Sequence, residues 1–359
     1  MSQSEFGNDP AKVERYRAFW ERAEARRPLV GFSLKSWFPL EEFEASAAWQ
    51  SQDTLTPEMV EPEAFMEDQV RLLREGESAD DDILRGACPS QAVPWLCGMM
   101  GNRLKILPGS ILAEERSLSW EELEKIHLDH AHPWFRKYME FAETLVRTAN
   151  NRFPVSHGTL IGPTDLAGAL RGHSQSILDL TEKPKKSQEL LTRLGAIFQE
   201  ITEELWKRVP LFYGGYFDAQ YQLWAPGPII RMQEDATALY SPALYREFIQ
   251  HIDRKLAERF SSGFIHLHST SMFLLDAFLE IEDIRCFEVN RDVAGPPLEE
   301  MIPYFQTIQG ANRSLLIRGS FNPDDVRLLL DALEPRGLYL YIMITDWAEV
   351  AALRPALGM

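Results

Sequence analysis

Two histidines separated by one residue, His266 and His268, have the spacing that most directly suggests chemistry in this chain. They end an apolar run at residues 263–268 that is typical of a buried strand. Residues i and i+2 of a strand project from the same face, so both imidazoles would point into one space. Such a pair can hold zinc or another transition metal together with a carboxylate, and Glu234 is the predicted third ligand. In the alternative, the two histidines are hydrogen-bonded within a packed site that holds no metal.

Two adjacent carboxylates, Glu234 and Asp235, follow another apolar run at residues 228–233. Neighbouring carboxyl groups raise each other's pKa, which suits general acid or base catalysis. We favour an arrangement in which Glu234 faces the site and Asp235 caps the following turn. Asp346 and Glu288 are further candidates for the third metal ligand.

Asn290 and Arg318 end two later apolar runs, and both are predicted to act as catalytic groups that position the substrate. A guanidinium holds an anionic group through two parallel hydrogen bonds. Arg318 would otherwise form an ion pair with Glu288 or Asp292, and the sequence leaves both arrangements open.

Four residues are predicted to contact the substrate: His157, Glu288, Asp346 and Trp224. The first three end or follow apolar runs, and Trp224 lies in a loop-like stretch that could cover a substrate. His157 could equally be a hydrogen-bonded core histidine, and Trp224 could pack beneath its loop.

Strands and helices alternate along the part of the chain that carries these residues. Eight short runs are typical of strands: residues 28–34, 153–158, 211–217, 228–233, 263–268, 285–290, 314–318 and 338–344. Helix-length amphipathic segments separate most of them, which predicts an α/β fold, a (β/α)₈ TIM barrel with its active site at the carboxyl ends of the strands. A doubly wound open sheet is the rival, but residues 32–37 lack the glycine-rich turn that usually follows its first strand. We therefore predict one domain, residues 1–359, with an N-terminal helical extension at residues 1–27.

The charge balance excludes several classes of protein. Lys+Arg 37 against Asp+Glu 54 gives a formal net charge of −17 on 359 residues, and so acidic a chain lacks the basic face that nucleic-acid binding needs.

No apolar run approaches the roughly 20 residues of a membrane span, and residues 1–10 lack the apolar core of a secretory signal. Three cysteines without a paired spacing are typical of reduced thiols, so we predict a cytoplasmic protein.

Four stretches in the C-terminal two-thirds of the chain share their order and spacing with a known family. They are His157-Gly158 and its continuation to Pro184, Glu234-Asp235 with Ser241-Pro242 and Tyr245, residues 264–269, and residues 319–323. In this order they resemble the uroporphyrinogen decarboxylase superfamily. The resemblance implies a (β/α)₈ barrel and two activities, tetrapyrrole decarboxylation and zinc-dependent methyl transfer together with a corrinoid protein.

The chain departs from both branches of that superfamily. The decarboxylases grip a polycarboxylate with arginines after their first strand, where residues 33–39 here contain Lys35 as the only cation. The methyltransferases typically carry His-x-Cys on a strand and a further cysteine downstream. Here His266 and His268 stand at those strand positions, and no cysteine follows Cys286.

The resemblance therefore implies a corrinoid-linked methyltransferase that acts on a small methylated substrate, with a metal held by His266, His268 and Glu234. The corrinoid would belong to a separate partner protein, because this chain has no DxHxxG pattern. A metal-free decarboxylase-like lyase and a catalytically silent binding barrel are the alternatives, and a homodimer is compatible with each. The acidic site residues predict a neutral or cationic small molecule, or a bound metal, rather than a polycarboxylate.

Overall fold

The molecule is an α/β protein built on a parallel sheet. The computed structural model describes residues 5–34 and 40–359, so Lys35 and the prediction about its loop lie outside the described residues. In chain order the strands are β1 Leu29–Leu34, β2 Thr54–Leu55, β3 Leu104–Leu107, β4 Ser110–Ala113, β5 Tyr216–Asp218, β6 Leu223–Ala225, β7 Arg231–Gln233, β8 Phe264–His268, β9 Cys286–Asn290, β10 Ser314–Gly319 and β11 Leu338–Ile344.

Fifteen α-helices lie between and around the strands in the described ranges. They are α1 Lys12–Glu21, α2 Glu44–Ala47, α3 Met66–Glu77, α4 Trp95–Met99, α5 Trp120–Leu123, α6 Pro133–Ala149, α7 Pro163–Arg171, α8 His173–Glu182, α9 Pro184–Trp206, α10 Pro242–Phe248, α11 Gln250–Arg259, α12 Leu275–Leu279, α13 Leu298–Gly310, α14 Pro323–Ala332 and α15 Ala348–Leu357. Ser241 and Asn322 cap α10 and α14, and proline at the first helical position needs no N–H partner there. No described helix combines the length and apolar character that crossing a bilayer requires.

The central sheet contains six of the eight predicted strands. Its order is β1-β11-β10-β9-β8-β7, and every neighbouring pair is parallel. From β7 to β11 each strand pairs with the next one along the chain, and β1 pairs with the last, which is compatible with the strand sequence of a TIM-like barrel. The prediction of an α/β fold with a parallel sheet is confirmed. Closure into an eight-stranded barrel stays a prediction, because the described ladder ends at β1 and β7.

Two irregular segments lie beside the edge strands β1 and β7. The N–H of Asp82 donates to the carbonyl of Val30 at 3.0 Å. Further on, Ala87 and Val155 form an isolated parallel bridge, and Arg231 Nη2 donates to the carbonyl of Gly158 at 3.4 Å. The predicted strand at 153–158 is therefore present only as this single bridge.

The predicted sheet strand at residues 211–217 is wrong. Positive φ angles at Tyr213 (49°) and Gly214 (76°) turn the chain in the middle of this run. The following residues pair antiparallel as the two-stranded hairpin β5–β6, outside the central sheet. The apolar character of the run arises from packing at this turn and in the hairpin.

Side chains of the central sheet alternate between two apolar clusters. One lies against the surrounding helices, and the other, the inner cluster, lies on the opposite face. The inner cluster includes Leu29, Phe264, Cys286, Leu316, Tyr339 and Tyr341 of the sheet, with Tyr16 and Phe19 of α1 and Tyr221, Leu223 and Trp224 of the hairpin region. Because strands have a period of two, His266, His268, Glu288, Asn290 and Arg318 share the face of the inner cluster.

Helix α1, within the predicted N-terminal extension, is tied to the hairpin by buried hydrogen bonds. The Tyr16 hydroxyl donates to the carbonyl of Gln222 at 2.6 Å and accepts the N–H of Leu84 at 3.0 Å. Trp20 Nε1 donates to the carbonyl of Trp224 at 2.8 Å. The N-terminal helix is thus part of the packing beneath the inner face.

We expect Tyr16→Phe to lower the free energy of unfolding by about 1–3 kcal/mol, because it leaves a buried N–H and a buried carbonyl without their partner. Urea denaturation measures the change. Tyr304→Phe, at a 38% exposed tyrosine, is the control and should change stability by less than about 0.5 kcal/mol. Equal effects of the two substitutions would contradict this account of α1.

Candidate metal centre and active site

The two histidines of β8 lie next to the polar residues of β9. His266 is in register with Glu288, and His268 with Asn290. His266 and Glu288 are buried, at 5% and 0% exposure, whereas His268 is partly exposed. The pair therefore spans the boundary between the packed interior and the open end of the sheet.

Each imidazole binds a carboxylate through Nδ1. His266 Nδ1 contacts Glu288 Oε2 and lies 2.9 Å from the Tyr221 hydroxyl, and His268 Nδ1 lies 2.6 Å from Asp292 Oδ1. A carboxylate only accepts hydrogen bonds, so Nδ1 carries the proton in both rings. The remaining nitrogens, the two Nε2 atoms, then carry lone pairs, and they face each other at 3.2 Å.

Two lone pairs at that distance repel unless a cation lies between them. A proton on one Nε2 would do this, and so would a metal ion. Burial lowers the pKa of His266, but the Glu288 carboxylate more than offsets this and leaves the pKa above its usual value. A proton and a metal would therefore compete for the same place.

Asp235 completes a triangle with the two Nε2 atoms. Its Oδ1 lies 4.0 Å from His266 Nε2 and 4.0 Å from His268 Nε2. These three residues form a group whose ligand atoms all lie within 4.8 Å of one another. Zinc bonds of about 2.0–2.2 Å to nitrogen and oxygen fit such a triangle after a small movement of the half-exposed Asp235.

Asp165 of α7 fixes the backbone that carries Asp235. Its carboxylate accepts the N–H of Asp235 at 3.0 Å and the N–H of Ala236 at 2.9 Å, at the start of the 3-10 helix Asp235–Leu239. Burial and the nearby Asp235 raise the pKa of Asp165 to about 7.

The predicted third ligand, Glu234, is directed away from the imidazoles. It is 3% exposed, and its Oε2 accepts the N–H of Thr164 at 3.0 Å and the Thr164 hydroxyl. Gln233 is in register with His266, so the period of two places Asp235 on the face of the histidines and Glu234 on the opposite face, beside Met232. Burial, together with Asp253 and Asp165, raises the pKa of Glu234 well above its ordinary value.

Asp292, Asn290 and Arg318 form a chain of contacts that leads away from His268. Asn290 Nδ2 donates to Asp292 Oδ1 at 2.7 Å, and Arg318 Nη1 lies 3.4 Å from Asn290 Oδ1. Burial raises the pKa of Asp292, but hydrogen bonds from Ser269, His268 and Asn290 outweigh it and leave the pKa below its usual value.

Arg318 forms no salt bridge with Glu288 or Asp292, the ion-pair alternative considered from the sequence. It is 8% exposed, its Nε has no partner, and no carboxylate of the described chain pairs with it. A buried guanidinium without a counter-charge is costly, so the site favours an anionic group of a ligand here.

Three predicted substrate residues lie elsewhere. His157 Nδ1 contacts the Tyr138 hydroxyl at 3.3 Å, and its ring packs on Trp206; burial, with Arg231 nearby, lowers its pKa to about 3, so it is a neutral core histidine. Trp224 is 0% exposed and donates to the carbonyl of Phe212. Asp346 is exposed, and its carboxylate accepts the N–H of Ala348 at the start of α15.

Tyr221 is a contact of the site that the sequence did not indicate. It comes from the turn of the β5–β6 hairpin, 45 residues before His266 in the chain. The spacing around it carries no motif, and only the position of the hairpin against the inner face brings its hydroxyl to His266.

The comparisons with known proteins show a similarity of fold to a solved structure. No model of a protein family matches the chain, and no curated protein matches it. Among solved structures it is similar to a methyltransferase from Methanosarcina mazei, with a TM-score of 0.64 and 13% sequence identity over 97% of this chain and 98% of the other. The two proteins share an overall fold along nearly their whole lengths.

The buried carboxyl of Asp253 should make the stability of the protein depend on pH. Asp253 of α11 is fully buried, accepts the Tyr245 hydroxyl at 2.7 Å, and has its pKa raised to about 7 by burial. The folded state keeps its proton where the unfolded chain, with a pKa of about 4, has lost it. This carboxyl therefore reduces stability progressively as the pH rises from about 4 to about 7.

We expect Asp253→Asn to raise the free energy of unfolding by up to about 4 kcal/mol at pH 8, and by much less at pH 5. Urea denaturation at the two pH values measures the difference. Asp331→Asn, at an exposed aspartate of α14, is the matched control and should show no such pH dependence. A gain that is the same at both pH values would contradict the assignment.

Proposed function

We propose that the chain is a metal-dependent methyltransferase whose metal is held by Asp235, His266 and His268. The observation that carries the proposal is the pair of opposed Nε2 atoms, each fixed by a carboxylate on the other ring nitrogen. Metal-binding histidines are commonly oriented by such carboxylates. In the residues that the structure describes, these three form the group able to hold an ion.

The donor set fits zinc or another first-row transition metal. Two imidazoles and one carboxylate leave coordination positions free, as catalytic sites do. When bound, such a metal supplies a Lewis acid that lowers the pKa of a thiol or water at the site. The predicted role of Glu234 as a ligand is replaced by Asp235.

The other residues of the site would orient the substrate. Arg318 has a buried Nε without a partner, and Asn290 connects it to Asp292 beside His268. Glu288 and Asp292 would hold the histidine rings with the proton of each neutral imidazole on Nδ1, so that Nε2 carries the lone pair that binds the metal. Tyr221 supports His266 from the side of the hairpin.

In this proposal a corrinoid carried by a separate protein exchanges the methyl group with a small methylated substrate. The name of the similar structure and the sequence resemblance support methyl transfer, and experiment must identify the substrate. The small methylated substrate, a homodimer and a cytoplasmic location stay predictions. The expectation of a neutral or cationic substrate is weakened by the unpaired Arg318, which favours an anionic group.

A metal-free lyase is the second candidate, supported by the same unpaired Arg318. Arg318 would hold the substrate carboxylate that the reaction releases. The activity of such a lyase would survive removal of metal.

Substitutions of the neighbouring acids Glu234 and Asp235 distinguish the proposed metal ligand, Asp235, from the buried carboxyl of Glu234. We expect Asp235→Asn to weaken zinc affinity by about 100-fold, because it removes the anionic oxygen nearest both Nε2 atoms. Glu234→Gln should leave affinity nearly unchanged, because this carboxyl binds Thr164 instead. Competition with a chelator of known affinity measures both, with metal content checked by mass spectrometry.

Equal losses in the two variants would contradict the ligand assignment. A wild-type protein purified without chelator that holds no transition metal and does not take up added zinc would contradict the metal centre itself.

Activity is tested with methylcobalamin as donor and 2-mercaptoethanol as acceptor. Absorbance spectroscopy measures the consumption of methylcobalamin. We expect this consumption to stop after chelation of the metal and to resume when metal is added. His268→Ala should reduce the rate by about 100-fold or more, since it removes a ligand. Methyl transfer that is unaffected by chelation would contradict the metal-dependent mechanism, whereas loss of a carboxylate from a substrate that survives chelation would support the lyase candidate.

A further inference from the structure

A cavity separate from the metal cluster lies between α3, residues 85–92 and the turn at residues 219–222. Its volume is about 90 Å³, so it has room for a small ligand and lies below the roughly 300–1,000 Å³ of drug-sized sites. One wall is apolar and consists of Phe43, Leu72, Leu73, Ala87 and Ala92. This wall offers an apolar surface to a ligand.

Polar groups that lack partners are interspersed with these apolar residues in the lining. Gln69 and Ser90 are only 9% and 5% exposed, yet neither side chain forms a hydrogen bond with the described protein. Gln91 Oε1 is buried and also has no partner. Buried polar groups are normally satisfied, so the buried Gln91 Oε1, with the unpaired side chains of Gln69 and Ser90 in the same lining, indicates hydrogen bonds that a ligand would complete.

The lining carries no uncompensated charge. The one ionic side chain in it, Arg85, pairs with Asp81 at 2.5 Å and donates to the carbonyl of Phe32. Burial raises the pKa of the Cys88 thiol to about 12, so this group is neutral. An ionic ligand would lose its hydration here without gaining a counter-charge.

The turn at residues 219–222 separates this cavity from the metal cluster. Ala219 and Gln222 line the cavity, whereas Tyr221 between them contacts His266. Gln222 holds the turn in place by accepting the N–H of Gly86 at 2.7 Å and donating to the carbonyl of Ala219 at 2.6 Å. The two sites therefore share one wall.

We propose that this cavity is a binding site for an uncharged small molecule, whose apolar body packs on Leu72, Leu73 and Ala92 and whose polar atoms bond to Gln69, Ser90 and Gln91. This site does not depend on the proposed metal or on methyl transfer.

Benzyl alcohol and benzoate are matched probes for the proposal, because they share a ring and differ in charge. Saturation-transfer NMR on chelator-treated protein measures their binding without any contribution from the metal. We expect benzyl alcohol to bind at least tenfold more tightly than benzoate. Equal binding, or tighter binding of benzoate, would overturn the assignment of an uncharged ligand.

Two variants locate the probe. Gln69→Leu keeps the side-chain size and should weaken benzyl alcohol binding roughly three- to tenfold, the effect of one hydrogen bond. Ala92→Phe should fill the cavity and abolish binding, and its thermal melting checks that it folds. Gln306→Leu, at an exposed glutamine of α13, is the control and should bind as the wild type does. Unchanged binding in both cavity variants would overturn the proposal, as would the absence of benzyl alcohol binding to the wild type.

Discussion

The opposed Nε2 atoms of His266 and His268 are the constraint on which the site depends. Neither ring can turn away without breaking its bond to Glu288 or Asp292, and both carboxylates are themselves held, one in the interior and one by Ser269 and Asn290. The strand register that sets His266 beside Glu288 therefore also sets the separation of the nitrogens. A cation between them, whether a proton or a metal ion, relieves the repulsion between the two lone pairs.

The sequence predicts those parts of the fold and of the site that depend on local interactions within a strand or between neighbouring strands. The period of two placed His266 and His268 on one face, and the parallel order of the strands brought Glu288 beside them. The same rule also places Asp235 rather than Glu234 on this face once Gln233 is known to pair with His266, but the sequence alone did not show which residues of β7 face the histidines. Tyr221 depends on a contact between distant segments, which spacing does not encode.

The buried acids of this protein fall into two groups that formal charge does not distinguish. Glu288 and Asp292 accept hydrogen bonds from histidines and act as carboxylates. Asp165, Glu234 and Asp253 lie behind Asp235 with raised pKa values, because burial and mutual repulsion favour their protonated forms. The raised pKa values make these three carboxyls weaker acids than ordinary aspartate or glutamate, and all three lie behind one candidate ligand.

The hairpin β5–β6 links the beginning of the chain to the chemistry at its centre. Tyr16 of α1 bonds to the carbonyl of Gln222, one residue after the tyrosine that contacts His266. If this turn couples the two contacts, ordering of α1 and occupancy of the histidine pair change each other by the same free energy. Proteolytic resistance at the amino-terminal helix would then report on events in a site formed by strands more than 200 residues further along the chain.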